Sequence, residues 1–375
     1  MHPFQASDLP PLPAPLWFVQ FFKVLGFTLH TVPMHLWYAG LVVAVGLYVY
    51  GCEHGRRFGS RLARQMPVIV AMGINFGIVP LLFLQLAYAK AFYPATILMA
   101  WFWLAIVAML IPAYYGVYLY AYGLRNGGAA MRPVHRAAGW IAAGLFIVIG
   151  FIFANGLSLM TNTAAWPKLW ADHSVAGAAT GTALNLADAT LWPRWLLMFG
   201  LALGTTAVWA VVDVAWLGAR ETEEYERWVR RFAFRLALVG AVWATVAGAW
   251  YVFGAWSDEV REQMFAFPTG LLTRVTAASP WFVVALIWLW RRREIGRLEA
   301  AAIGAMQFVT LALNAIGRQI VQNLELRDRL FDVMQRPVEV ERGPLAMFLV
   351  AFVAGAVVVA WIIYQLWRAR GEPAA

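Results

Sequence analysis

The chain has 375 residues, of which 62% are hydrophobic and only 13% charged, and its mean hydropathy is +0.64. Soluble globular chains are roughly 45–50% apolar and about 25% charged, so intrinsic disorder, a disulfide scaffold and a soluble enzyme are excluded. A net charge of +9 does not point to nucleic acid in so apolar a chain, where the placement of the charges matters more than their sum.

Residues 1–26 are Pro-rich and then amphipathic (Leu16, Trp17, Phe18, Phe21, Phe22), which predicts an N-terminal interfacial segment. They lack the basic start and small-residue cleavage site of a signal peptide. A helix crossing about 30 Å of hydrocarbon needs roughly 20 apolar residues. Nine such runs follow, at 27–50, 67–89, 95–122, 137–160, 192–217, 232–255, 275–290, 298–318 and 344–367, and 27–375 reads as a single membrane domain. The expected fold is therefore an all-α polytopic membrane bundle of nine transmembrane helices.

Alternate connections collect the arginines: Arg56, Arg57, Arg61 and Arg64; Arg125, Arg132 and Arg136; Arg220, Arg227, Arg230, Arg231 and Arg235; Arg291, Arg292, Arg293 and Arg297; then Arg368 and Arg370. The positive-inside rule places these at the cytoplasmic face and the N-terminus outside. The outer connections are then 90–94, 161–191, 256–274 and 319–343.

Ionisable and amide side chains inside spans are costly and mark candidate sites. His2, His54 and His135 read as solvated, and His173 as a loop or partner contact. His30 and His35 fall in the first span, in Phe27-Thr28-Leu29-His30-Thr31-Val32-Pro33-Met34-His35. A neutral imidazole there suits haem iron, and b-type haem needs no covalent motif. Five residues apart on a helix, the two rings diverge by roughly 140°, so they do not share one iron. A hydrogen-bonded structural histidine satisfies the same spacing. Asp213 is the one acid well inside a span, placed to snorkel or to pair with Arg220. Asn75, Gln85, Asn155, Gln307 and Asn314 read as helix–helix hydrogen-bonding amides. Arg318-Gln319 closes the eighth span, where a guanidinium suits an anionic group such as a haem propionate, or a quinone oxygen. Cys52 is the single cysteine, so there is no intrachain disulfide and no C-x-x-C-H for covalent haem.

Several stretches together resemble subunit I of the cytochrome bd quinol oxidases, in divergent form. Phe27-Thr28-Leu29-His30 followed by Gly40 is similar to the first-span segment carrying that family's high-spin-haem histidine. Gly73-Ile74-Asn75-Phe76 resembles its G-I-N-F, Phe153-Ala154-Asn155-Gly156 its A-N-G-W-M-Q, and Ala315-Ile316-Gly317-Arg318-Gln319 its E-x-G-R-Q-P-W. The departures are as informative. The family's glutamate falls on Ala315, its fifth-span histidine near Leu197, and its third-span glutamates have no counterpart.

Only His30 carries over as a metal (haem iron) ligand, and His30, His35, Asn155, Arg318 and Gln319 are the candidate cofactor-binding residues. The resemblance implies a bacterial inner-membrane subunit of a respiratory electron-transfer complex. It would lack oxygen-reducing activity of its own and carry one haem b or a quinone near the outer face. The partners implied are the lipid bilayer and a second membrane subunit or cytochrome c-type protein. A haem-free anchor for a partner cytochrome is the alternative reading, and a transporter the second alternative.

Overall fold

The computed structural model describes residues 9–127, 131–217 and 221–369. Among them, nine helices are long and apolar enough to cross a membrane: Leu16–Tyr50, Glu53–Leu98, Ala100–Asn126, Pro133–Thr161, Leu191–Leu217, Glu223–Ala255, Thr269–Trp290, Arg297–Arg327 and the helix opening at Arg342. The chain is thus an all-α membrane bundle. Its described β structure is a two-residue hairpin, Ser174–Val175 with Ala178–Ala179, and one isolated bridge between Leu12 and Val338. Pro33, Pro67, Pro80, Pro94, Pro112 and Pro280 all sit inside helices. Such prolines are tolerated in membrane helices because packing and local adjustment resatisfy the freed carbonyls.

Span boundaries differ from the sequence expectation at several ends: the second and sixth helices open at Glu53 and Glu223 rather than 67 and 232, and three further differences follow. The first helix starts at Leu16 rather than 27, because Phe18 and Phe22 find protein partners in Phe83 and Phe348. The connection expected at 90–94 is a helical piece between a kink at Tyr88 (φ −128°, ψ 32°), close to the expected end of the second span, and a break at Met99. There the 181–183 strip caps the break, Trp101 N donating to Gly181 O and Ala183 N to Leu98 O. The eighth helix continues to Arg327 instead of ending at 318, which draws Gln322 and Glu325 into the interior.

Small residues let helices approach closely. A Cβ on Gly200 would come within 2.7 Å of Ala244 N, and one on Gly240 within 2.8 Å of Gly200 O, so the fifth and sixth spans touch backbone to backbone. The third span turns Trp101, Leu104, Val107, Ile111 and Tyr115 outward at helical spacing, as a lipid-facing stripe requires. No residue in the most apolar stretch of the ninth span is buried.

At the arginine-rich end, Asp213 is 1% exposed and accepts from Arg61 Nε at 2.7 Å and Gln65 Nε2 at 2.6 Å. Arg61 also reaches Glu221 at 2.7 Å, and Arg57 joins the same carboxylate. The expected partner Arg220 lies outside the described residues. Gln307 makes the interhelix bond expected of it, to Thr205 Oγ1 at 2.9 Å, whereas Asn75 turns back to its own Ala71 carbonyl.

Candidate functional site

Lys23, Phe27, His30, Met34 and Tyr38 recur every three or four residues on one face of the first span, and that face lines a cavity of about 360 Å³. Arg194, Trp195 and Met198 of the fifth span and Ala315, Arg318, Gln319 and Gln322 of the eighth complete the polar side. The opposite wall is apolar, with Leu81, Leu84, Trp103, Phe146 and Phe153 among its members. At 1.5 Å rise per residue, the lining from Lys23 to Tyr38 spans roughly 20 Å, so the cavity is a column along the bundle. Its volume lies in the range of small-molecule sites, roughly 300–1,000 Å³. Among the described residues, no carboxylate lines it.

His30 is held in place by the second span. Its Nδ1 lies 2.7 Å from Gly73 O, and since a carbonyl only accepts, Nδ1 carries the proton. The ring rests in the notch of Gly77, where a Cβ would come within 2.9 Å of it, and meets Trp37 edge-on. Nε2 makes no hydrogen bond to any described residue, so its lone pair is available to a ligand. A ring N–H tethered to a carbonyl is the arrangement that orients metal-ligating histidines.

His35 faces elsewhere, as the angular divergence requires. It is fully buried, with Nδ1 2.8 Å from Thr205 Oγ1. That hydroxyl donates to Leu201 O, so its oxygen accepts from His35 and Gln307 together. His35 does not line the cavity.

Asn155 is also buried and off the cavity, although Ala154 and Gly156 beside it line the wall. Its Oδ1 accepts Asn185 N at 3.3 Å, and Asn185 donates to Ser158, which in turn bonds Asp188. The cluster clasps the 161–191 connection onto the fourth span.

Arg318 and Gln319 do line the cavity. The Arg318 guanidinium lies 4.5 Å from the centroid of the Phe27 ring and makes no hydrogen bond or ion pair to a described residue. Gln319 is a positioning group: its Oε1 accepts Lys23 Nζ at 2.7 Å, and its amide donates to Tyr88 and Asn323.

Three charged residues of the site escaped the sequence reading. Lys23, placed with the interfacial segment, lines the cavity at 9% exposure, one heptad before His30. That spacing was the available signal. Arg194 lines the cavity and pairs with Glu325 at 3.7 Å, a residue that only the longer eighth helix brings inside. Ala315, where the resemblance places a glutamate, faces the cavity, whereas Leu197 packs instead with Leu201, Ala244 and Leu311. His54 meets Glu224 at 3.3 Å and His173 meets Thr182 at 3.1 Å, while His2 lies outside the described residues. No group of three or more His, Cys, Asp or Glu suited to a metal ion occurs among the described residues.

The donor set fits a single axial haem ligand. It comprises one tethered imidazole, the thioethers of Met34, Met160 and Met198 on the same walls, and cations for acidic edges.

No family model and no curated protein matches the sequence. The fold, a nine-span helical membrane bundle, is similar to the structure of bd oxidase from Geobacillus thermodenitrificans. The TM-score is 0.68 at 10% identity, over 97% of this chain and 100% of that chain.

Proposed function

We propose that this chain is a membrane subunit of an electron-transfer complex whose cavity holds one lipophilic redox cofactor, with b-type haem the best fit. The observation that carries this is His30, with Nδ1–H on Gly73 O and Nε2 unused at the cavity. Haem held there would supply one-electron transfer. Gly73 fixes the tautomer that leaves Nε2 unprotonated, Arg318 would hold an acidic edge of the group, and the apolar wall would pack against its body.

Oxygen reduction lies outside this reading: it consumes four protons, and among the described residues no carboxylate lines the cavity to deliver them. The length of the column favours a second reading, an isoprenoid quinone with its tail along the apolar wall. The bare ninth span supports a partner, in our reading a second membrane subunit, with a cytochrome c-type protein as the electron donor or acceptor. In our reading the membrane is a bacterial inner membrane, and the arginine bias supports an outward-facing Lys23–Arg318 end of the cavity.

Absorbance of the purified protein tests the reading. A Soret band with a reduced α-peak, lost in His30→Ala and kept in His35→Ala, supports haem. Colourless protein yielding quinone on solvent extraction supports the second reading. Colourless, quinone-free protein that co-purifies with a multihaem cytochrome makes the chain an anchor.

A further inference from the structure

We propose that Arg318 and Lys23 form an anion site at one end of the cavity, and that the cavity's occupant places a carboxylate or phosphate there. The inference rests on reading the cavity as a ligand site, and it narrows the ligand to an apolar body with an acidic head.

Lys23 is nine-tenths buried, and Nζ donates to Gln319 Oε1 at 2.7 Å and Gln322 Oε1 at 2.9 Å, beneath the Tyr88 ring at 4.5 Å. These partners are all neutral, so no carboxylate among the described residues is spent on Lys23, and an anion bound there would find its Nζ unpaired in charge. Arg318 carries five N–H donors and stacks on Phe27, with no acceptor among the described residues. Of the cavity's three cations, Arg194 alone has a carboxylate, Glu325.

Arg318 and Lys23 both line the cavity, where Gln319, next to Arg318 on the eighth helix, holds Lys23 Nζ, so the two residues belong to one cluster. In a low-dielectric interior both attract an anion strongly, and a planar guanidinium matches the oxygens of a carboxylate or phosphate. A neutral ring carbonyl would leave both charges standing, so charge rather than shape selects here. Two sources share the required chemistry: the propionate edge of a porphyrin, and the acidic head of a single-chain lipid lying along the column.

The full chain, purified in detergent, is titrated with two matched pairs: haem b and its dimethyl ester, and oleate and methyl oleate. In at least one pair the acid binds about 10- to 100-fold more tightly than the ester, the worth of a charged hydrogen bond. Arg318→Gln and Lys23→Met each abolish the preference, and Arg318→Lys retains part of it. The acid–ester comparison on the unmodified protein decides the matter even where a variant misfolds. Discrimination in the haem pair identifies the propionate source. Discrimination only in the oleate pair, in a colourless protein, upholds the anion site while the haem reading fails. Equal binding of acid and ester in both pairs, binding of none of the four, or a preference that survives both substitutions overturns the anion site. A Soret band lost in His30→Ala would then leave the cofactor reading intact.

Discussion

Replacing Asp213 with asparagine tests the physics that closes the arginine-rich end of the bundle. The carboxylate accepts from Arg61 Nε at 2.7 Å and from Gln65 Nε2 at 2.6 Å, and Gln65 Oε1 is already taken by Trp209 Nε1 at 2.8 Å. An asparagine of the same shape has one acceptor and one donor side. Whichever way it turns, its NH₂ faces either the Arg61 or the Gln65 donor. Flipping Gln65 cures that clash but sets its own NH₂ against the Trp209 indole N–H. No choice of rotamers satisfies the set.

One charge-assisted bond is therefore lost, worth about 1.5–3 kcal/mol, together with half of the charge pairing of Arg61. Breaking a fully buried pair costs roughly 3–5 kcal/mol. Arg61 keeps Glu221 at 2.7 Å and its side chain is 23% exposed, which lowers the expected cost. The working figure is about 2–4 kcal/mol, or a drop in Tm of roughly 2.5–5 °C by the per-residue scaling of folded domains. Thermal unfolding in detergent, followed by tryptophan fluorescence, reads it. An Asp213→Asn protein that melts with the wild type would refute the reasoning, because the carboxylate would then carry no net load.

Three further outcomes are expected. Gly73→Ala would place a Cβ 2.1 Å from the Trp37 ring, which stacks on Phe146, so overpacking should destabilise the protein by about 1–3 kcal/mol. It should also weaken any His30-bound cofactor by moving the carbonyl that orients the imidazole, and Tm with ligand retention checks both. Thr205→Val removes the oxygen that accepts from His35 and Gln307 together, stranding the buried His35 Nδ1–H and leaving the Gln307 amide only its 3.5 Å contact to Leu201 O. A loss of about 1–3 kcal/mol in thermal unfolding follows, with cofactor content per folded molecule unchanged. Ending the chain after Glu341 removes a span with no buried residue in its apolar stretch, so co-purification of a membrane partner should fail while the remaining helices keep their helical signal by circular dichroism.

Much of the bundle was legible because a bilayer imposes a length and a polarity that composition reports directly. The nine apolar runs and the alternation of arginines needed no tertiary information. Helix ends were less legible: 16–26 follows a Pro-rich stretch and carries Gln20 and Lys23, and 319–327 is polar, yet Phe18, Phe22, Gln322 and Glu325 continue their helices because they pack against neighbours. Within the site, His30, Arg318 and Gln319 come together at one cavity, and Asn155 and His35 do not. The 3.6-residue period tells which residues share a face, so it separates His30 from His35 and groups Lys23 with His30.

Periodicity says nothing about what that face meets. Whether an imidazole meets a void or a threonine, and whether an ammonium meets a carboxylate or only amides, depends on helices far apart in sequence, here the first, second, fifth and eighth. The sequence by itself determined a nine-helix membrane protein with a histidine in its first span and an alanine at position 315. The tertiary structure alone decided that His30 opens onto a cavity with no carboxylate among its described lining residues, and that Lys23 and Arg318 line it with no ion pair to a described residue. Charge balance inside a membrane is set by neighbours in space.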